Sequence, residues 1–145
     1  MAGTAFDLEA LLDLTGPKVF ARGEAYAEAG HVDLVQVDAD DVVAHVEGTE
    51  TYVVRLTPSN GLGLCTCPAF EDFGTCKHVV ATAVVFNGLN EAEIRAARGR
   101  LARLRDGLEL EGPAALVERI LGLARRFPEV LAELEATDEP ASPDR

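Results

Sequence analysis

The chain changes hydrophobic period twice, and each change predicts a change of secondary structure. Leu8, Leu11 and Leu12 recur at helical spacing behind Thr4 and Asp7, which read as a helix start. Thr15-Gly16-Pro17 interrupts the pattern, and Pro17 suits the first turn of a second helix. Val19, Phe20, Gly23, Tyr26 and Ala27 share a face of that helix, with Gly30 as its stop. The aromatic stripe reads as packing rather than as a ligand site. From His31 the period becomes two. Val35 and Val37 alternate with Leu34 and Gln36, then Val42, Ala44 and Val46 with Val43, His45 and Glu47. Tyr52, Val54 and Leu56 alternate in the same way with Thr51, Val53 and Arg55. Acidic or glycine-containing turns separate the runs, so an antiparallel meander is expected. Leu62-Gly63-Leu64 forms a fourth strand after the turn at Pro58-Ser59-Asn60-Gly61.

The helical period then returns. His78 to Phe86 is almost wholly apolar, and Asn87-Gly88 closes it as a helix stop, so a buried helix is predicted despite its β-branched residues. Asn90 and Glu93 open a further helix with Ile94, Ala97, Leu101, Leu104 and Leu108 at three- and four-residue steps. Pro113 begins another, carrying Leu116, Val117, Ile120, Leu121 and Phe127, and Pro128 restarts a last one through Val130, Leu131 and Leu134. The expected fold class is α+β. N-terminal helices over residues 1–30 pack on the core, and a small antiparallel β-meander over 31–88 leads into a cysteine-bearing, ββα-like segment. Amphipathic helices follow over 89–136, and a polar, disordered tail over 137–145.

Chemistry concentrates at the end of the meander. All three cysteines lie within Cys65-Thr66-Cys67-Pro68-Ala69-Phe70-Glu71-Asp72-Phe73-Gly74-Thr75-Cys76-Lys77-His78, a CxC, eight residues, then CxH. Zinc takes four soft or borderline donors in a tetrahedron, and three cysteines with one histidine are a standard structural set. A strand end can aim Cys65 and Cys67 at one ion. A helix N-terminus would hold Cys76 and His78, where unpaired N–H groups favour thiolate charge. The competing readings are weaker. A Cys65–Cys67 disulfide would close a strained ring and leave Cys76 over. An iron–sulfur centre uses other spacings. A catalytic zinc keeps an open position, and His45-Val46-Glu47 lacks the Pro-Cys-x-x-Cys partner of a deaminase centre. The two serines, Ser59 and Ser142, have no nucleophile context, and no phosphate-binding glycine loop is present. No enzyme activity is expected.

Charge bears on the partner. The net charge is −12, of which residues 1–64 carry −8, residues 91–111 zero and residues 112–145 −3. Such an acidic chain begins at a disadvantage on phosphate, because cations supply much of nucleic-acid affinity. The cationic candidates are Lys77 beside the ligands and Arg95, Arg98, Arg100, Arg103 and Arg105 on one helix. Their simpler reading is a solvated face paired with Glu91, Glu93, Asp106 and Glu109. Phe70 and Phe73 between the ligand pairs either stack on bases or form the small core under the metal. There is no membrane-length apolar run and no secretory signal, so a cytoplasmic protein is expected. Arginine outnumbers lysine 11 to 2, which points to a GC-rich bacterial genome.

At these residues the sequence resembles the SWIM-type zinc finger family, defined by CxCx(n)CxH. The Cys-Thr-Cys-Pro-x-Phe opening and the Gly-Thr-Cys-Lys-His-Val-Val-Ala close are both typical of it. Arg22-Gly23-Glu24-Ala25-Tyr26, Gly30-His31-Val32 and Val46-Glu47-Gly48-Thr49-Glu50-Thr51-Tyr52-Val53-Val54 resemble what precedes the finger in bacterial members. The resemblance covers residues 17 to about 88. It implies one structural zinc held by Cys65, Cys67, Cys76 and His78, and a role in binding protein or DNA. A protein-interaction adaptor is the leading expectation, with DNA binding through the finger and the arginine-bearing helix as the alternative. The partner and the oligomeric state are not specified by the sequence.

Overall fold

The computed structural model describes residues 5–138. Helices α1 (Leu8–Thr15) and α2 (Pro17–Glu28) precede four strands, β1 (Val32–Val37), β2 (Val42–Glu47), β3 (Thr51–Thr57) and β4 (Leu62–Cys65). Helices α3 (Pro68–Phe73), α4 (Lys77–Asn87), α5 (Glu91–Glu109), α6 (Pro113–Arg126) and α7 (Pro128–Asp138) follow. The α+β expectation holds. Among the described residues no helix is long and apolar enough to cross a membrane. The chain divides into two compact units, residues 1–102 and 103–145.

Local chemistry sets the helix ends. Asp7 is itself the cap of α1, its carboxylate accepting from the Ala10 N–H at 3.1 Å, whereas the expected role of Thr4 falls outside the described residues. Pro17 occupies the first turn of α2, and Gly30 follows its end at φ 81°, a conformation a side chain would strain. At the start of α5, the Glu93 N–H donates to the Asn90 side chain at 2.8 Å and the Asn90 N–H donates to the Glu93 carboxylate at 2.9 Å, a complete capping box. Helix α7 runs to Asp138, so Thr137 and Asp138 belong to it rather than to the expected polar tail; residues 139–145 lie outside the described residues.

The sheet is an antiparallel meander in the order β1-β2-β3-β4. Its inner face carries Val42, Ala44 and Val46 from β2 and Val54 and Leu56 from β3, all fully buried. The first strand differs from its sequence pattern. The register pairs Leu34 with Ala44 but Gln36 with Val43, so Val35 is an extra residue in a bulge. Leu34 therefore shares the core face with Val37, in place of the expected pairing of Val35 with Val37. A one-residue insertion reverses which alternate side chains point inward, and strict alternation across it fails.

Helix α4 lies between α2 and the sheet. It buries Val79, Val80, Ala81 and Ala83, and Thr82 is satisfied by donating its hydroxyl to the His78 carbonyl at 2.9 Å. Asn87 does more than stop this helix. Its side chain accepts from the Phe6 N–H at 2.9 Å and donates to the Phe6 carbonyl at 2.7 Å, fastening the buried Phe6 to the core. Asn87→Ala removes both bonds and leaves two backbone groups to find other partners. It is expected to cost about 1–3 kcal/mol, read as a lower urea midpoint at unchanged slope. An unchanged midpoint would show that the clamp contributes nothing.

The unit formed by residues 103–138 differs sharply in burial. Ala124 is its one buried residue among those described, while Leu104, Leu110, Val117, Ile120, Phe127 and Leu131 are exposed.

Candidate metal centre

Three elements converge on the cysteine segment. Strand β4 ends at Cys65, and the Thr66 N–H continues its pairing by donating to the Val53 carbonyl at 3.1 Å. Cys67 then starts α3, its sulfur accepting the Phe70 N–H at 3.3 Å as the helix cap, with Pro68 in the first turn. Gly74, at φ 90°, reverses the chain after α3, and Cys76 is the N-cap residue of α4. His78 lies in the first turn of that helix. The second ligand pair is thus at a helix N-terminus, as its spacing predicts. The six-residue helix between the pairs has no signal in the sequence beyond Pro68.

The donor atoms of Cys65, Cys67, Cys76 and His78 all lie within 4.8 Å of one another. His78 Nδ1 is 3.7 Å from the Cys65 sulfur and 3.8 Å from the Cys76 sulfur. A tetrahedral zinc with bonds of about 2.3 Å to sulfur and 2.0 Å to nitrogen separates its donors by about 3.5–3.8 Å. The four side chains therefore fit a zinc ion in type, number and spacing, and the segment is a metal-binding site. Cys67, Cys76 and His78 are buried and Cys65 half-buried. The Phe70 N–H donates to the Cys67 sulfur at 3.3 Å, and the nearby N–H groups of Cys67 and Val79 favour the thiolate at Cys65 and at Cys76. Such donors stabilise negative sulfur without competing for the cation.

The thiols are not equivalent. The hydrogen bond from Cys65 draws the Cys76 thiol down to about 4 against burial, assisted by His78 and the Val79 N–H. Cys65 is correspondingly pushed up, by its hydrogen bond to Cys76 and by burial. Burial also raises Cys67, opposed by the Phe70 N–H. Hydrogen bonds within the cluster thus favour negative charge at Cys76 and protons on Cys65 and Cys67. A divalent cation takes over the role of those protons.

Residues distant in sequence orient His78. Its ring lies 4.8 Å from Tyr52, tilted by 33°, and 5.5 Å edge-on from Tyr26. The Tyr52 hydroxyl is 2.8 Å from the Thr49 hydroxyl, and Gly48 leaves room for the imidazole: a Cβ there would lie 3.0 Å from Tyr52 and 3.3 Å from His78 Nε2. Nδ1 is thus turned toward the sulfurs, while Nε2 is buried with no hydrogen-bond partner among the described residues. His31 stacks on Tyr26 at 4.8 Å and donates its Nδ1–H to the Glu47 carbonyl at 3.0 Å. His45 is exposed on β2, and neither histidine belongs to the cluster. The helical stripe of α2 hides Tyr26's part here, since periodicity marks it only as a packing residue.

The cationic candidates are dispersed. Lys77 sits over the Tyr26 ring at 4.9 Å. Arg100 donates to both oxygens of Asp33, at 2.7 and 3.2 Å, and to the Leu34 carbonyl at 2.7 Å, tying α5 to the edge strand. Arg103 also has a partner within the fold. At 100° per residue, Arg95, Arg98 and Arg105 fall within an arc of about 80° on α5, while Arg100 and Arg103 lie away from them. Phe70 is partly buried against the core; the side chain of Phe73 lies outside the described residues.

Residues 34–86 match the family model of the SWIM zinc finger. No curated protein and no solved structure matches the chain significantly.

Proposed function

From the premise that this chain carries a SWIM zinc finger at residues 34–86, we propose that it is a non-catalytic adaptor that acts by binding protein. One zinc ion per chain organises the finger, and the C-terminal helices make the contact. The observation that carries this reading is the apolar surface of residues 103–138. Leu110 is 88 % exposed, Leu104 56 % and Val117 54 % in a unit with hardly any buried side chain. Exposed apolar area on that scale is characteristic of interaction surfaces. The metal centre supports a structural role, because four close donors satisfy zinc and leave no coordination position for water or substrate. A cytoplasmic setting, where thiols stay reduced, agrees with three free cysteines.

DNA binding is the competing function, and electrostatics disfavour it. Arg100 and Lys77 are engaged within the fold, and the chain carries −12 overall. Titration of the zinc-loaded chain with single- and double-stranded oligonucleotides at low salt is expected to give no complex. A complex that weakens steeply with salt and is lost in Arg98→Glu would assign the function to nucleic acid instead.

A further inference from the structure

We infer that the surface of residues 103–138 binds a second copy of this chain. The inference rests on the adaptor reading and goes beyond it by naming the first occupant of the helical surface.

The starting point is a deficit of burial. Ordering each residue costs backbone entropy, and helices this short gain most of their stability from tertiary packing. Yet α6 and α7 bury only Ala124, with Leu116, Leu123 and Val130 half-covered. The apolar side chains Val117, Ile120, Leu121, Phe127, Leu131 and Leu134 remain 36–54 % exposed. A partner that covers them supplies the missing packing.

Charge selects the partner. Helix α7 carries Glu129, Glu133 and Glu135 and no cation, while α6 ends in Arg125 and Arg126. Arg119 is already held by Glu111, at 2.6 and 3.2 Å. The unit therefore presents an acidic helix and a basic helix end side by side, and α6 and α7 pack on each other. A two-fold axis would set the acidic helix of each copy against the basic helix end of the other, so every attraction occurs twice. A foreign surface of one sign would match only half of it.

The test is sedimentation of the full, zinc-loaded chain. The wild-type protein should sediment at twice its 15.4 kDa mass, and Ile120→Asp should sediment at the single-chain mass with its zinc retained. Two charge-reversed chains separate pairing from folding. Arg125→Glu with Arg126→Glu, and separately Glu129→Arg with Glu135→Arg, should each weaken self-association about tenfold or more. Mixed together, they should pair with each other. A wild-type chain that stays single up to about 100 μM, well above a micromolar dissociation constant, overturns the inference, as does failure of the mixed pair to form. If the single chain nevertheless binds another protein through the Ile120 face, the adaptor reading stands and self-association alone is lost.

Discussion

Cys76→Ser is expected to abolish stoichiometric zinc binding and to destabilise residues 5–102 by more than about 3 kcal/mol. Cys76 is 4 % exposed, occupies the N-cap position of α4, and contributes to the same hydrophobic cluster as Val79 and Val80. Serine keeps the size but offers a poor donor to zinc, and metal binding in such sites is coupled to folding by many kcal/mol. The sheet and α4 retain their buried valines, so a partly ordered core is expected to survive with β4, α3 and the start of α4 released. Elemental analysis and denaturant unfolding read the two effects. Zinc near one per chain with an unchanged midpoint would show that the cluster is not structural. Acid should mimic the substitution. The Cys76 thiol is lowered from its usual value, first by its hydrogen bond with Cys65, so its contribution is complete at high pH and is lost as pH falls through that lowered value. Protons displace the metal in the same direction, and zinc release on acidification follows.

Gly23→Ala is the second large effect, and its sign is opposite to what helix propensity suggests. Alanine favours a helix interior by about 0.5–1 kcal/mol. At Gly23, however, an added Cβ would lie 2.3 Å from Val80 Cγ1, 2.4 Å from Val80 Cβ and 2.9 Å from the Lys77 carbonyl. Val80 is fully buried, and Lys77 sits between two ligands on α4. Helix α2 must therefore move off α4, and overpacking of this kind typically costs about 1–3 kcal/mol or more. The clash outweighs the propensity gain, and a net loss of stability is expected, together with weaker zinc retention because the displaced helix carries Tyr26, which packs edge-on against His78. Gly107→Ala provides the contrast. Nothing lies within 4 Å of that position, and propensity alone should stabilise its helix. A Gly23→Ala protein as stable as the wild type would mean that the two helices do not cross this closely.

The division between sequence and tertiary structure runs along interaction range. The alternation in β2 and β3, the Asn90–Glu93 box, the proline starts of α2, α6 and α7, and the clustering of four donors between residues 65 and 78 all depend on neighbours a few residues away. Each could be read directly from the chain. The metal ligands belong to this group because a short loop brings them together whatever the rest of the fold does. Contacts across the chain were not legible in this way. The bulge at Val35 appears only when β1 is laid against β2. Asn87 reads as a helix stop until Phe6, 81 residues earlier, is found beside it. Arg100 reads as one of five solvated arginines until Asp33 and Leu34 meet it. Tyr26, Gly48 and Tyr52 show no sign of their place around His78 until α2 and the sheet enclose α4. The sequence by itself determined which side chains can hold zinc, through local spacing and donor chemistry. The tertiary structure alone decided how that histidine is aimed and where the arginines are spent, because side-chain directions are set by packing between elements that no periodicity connects.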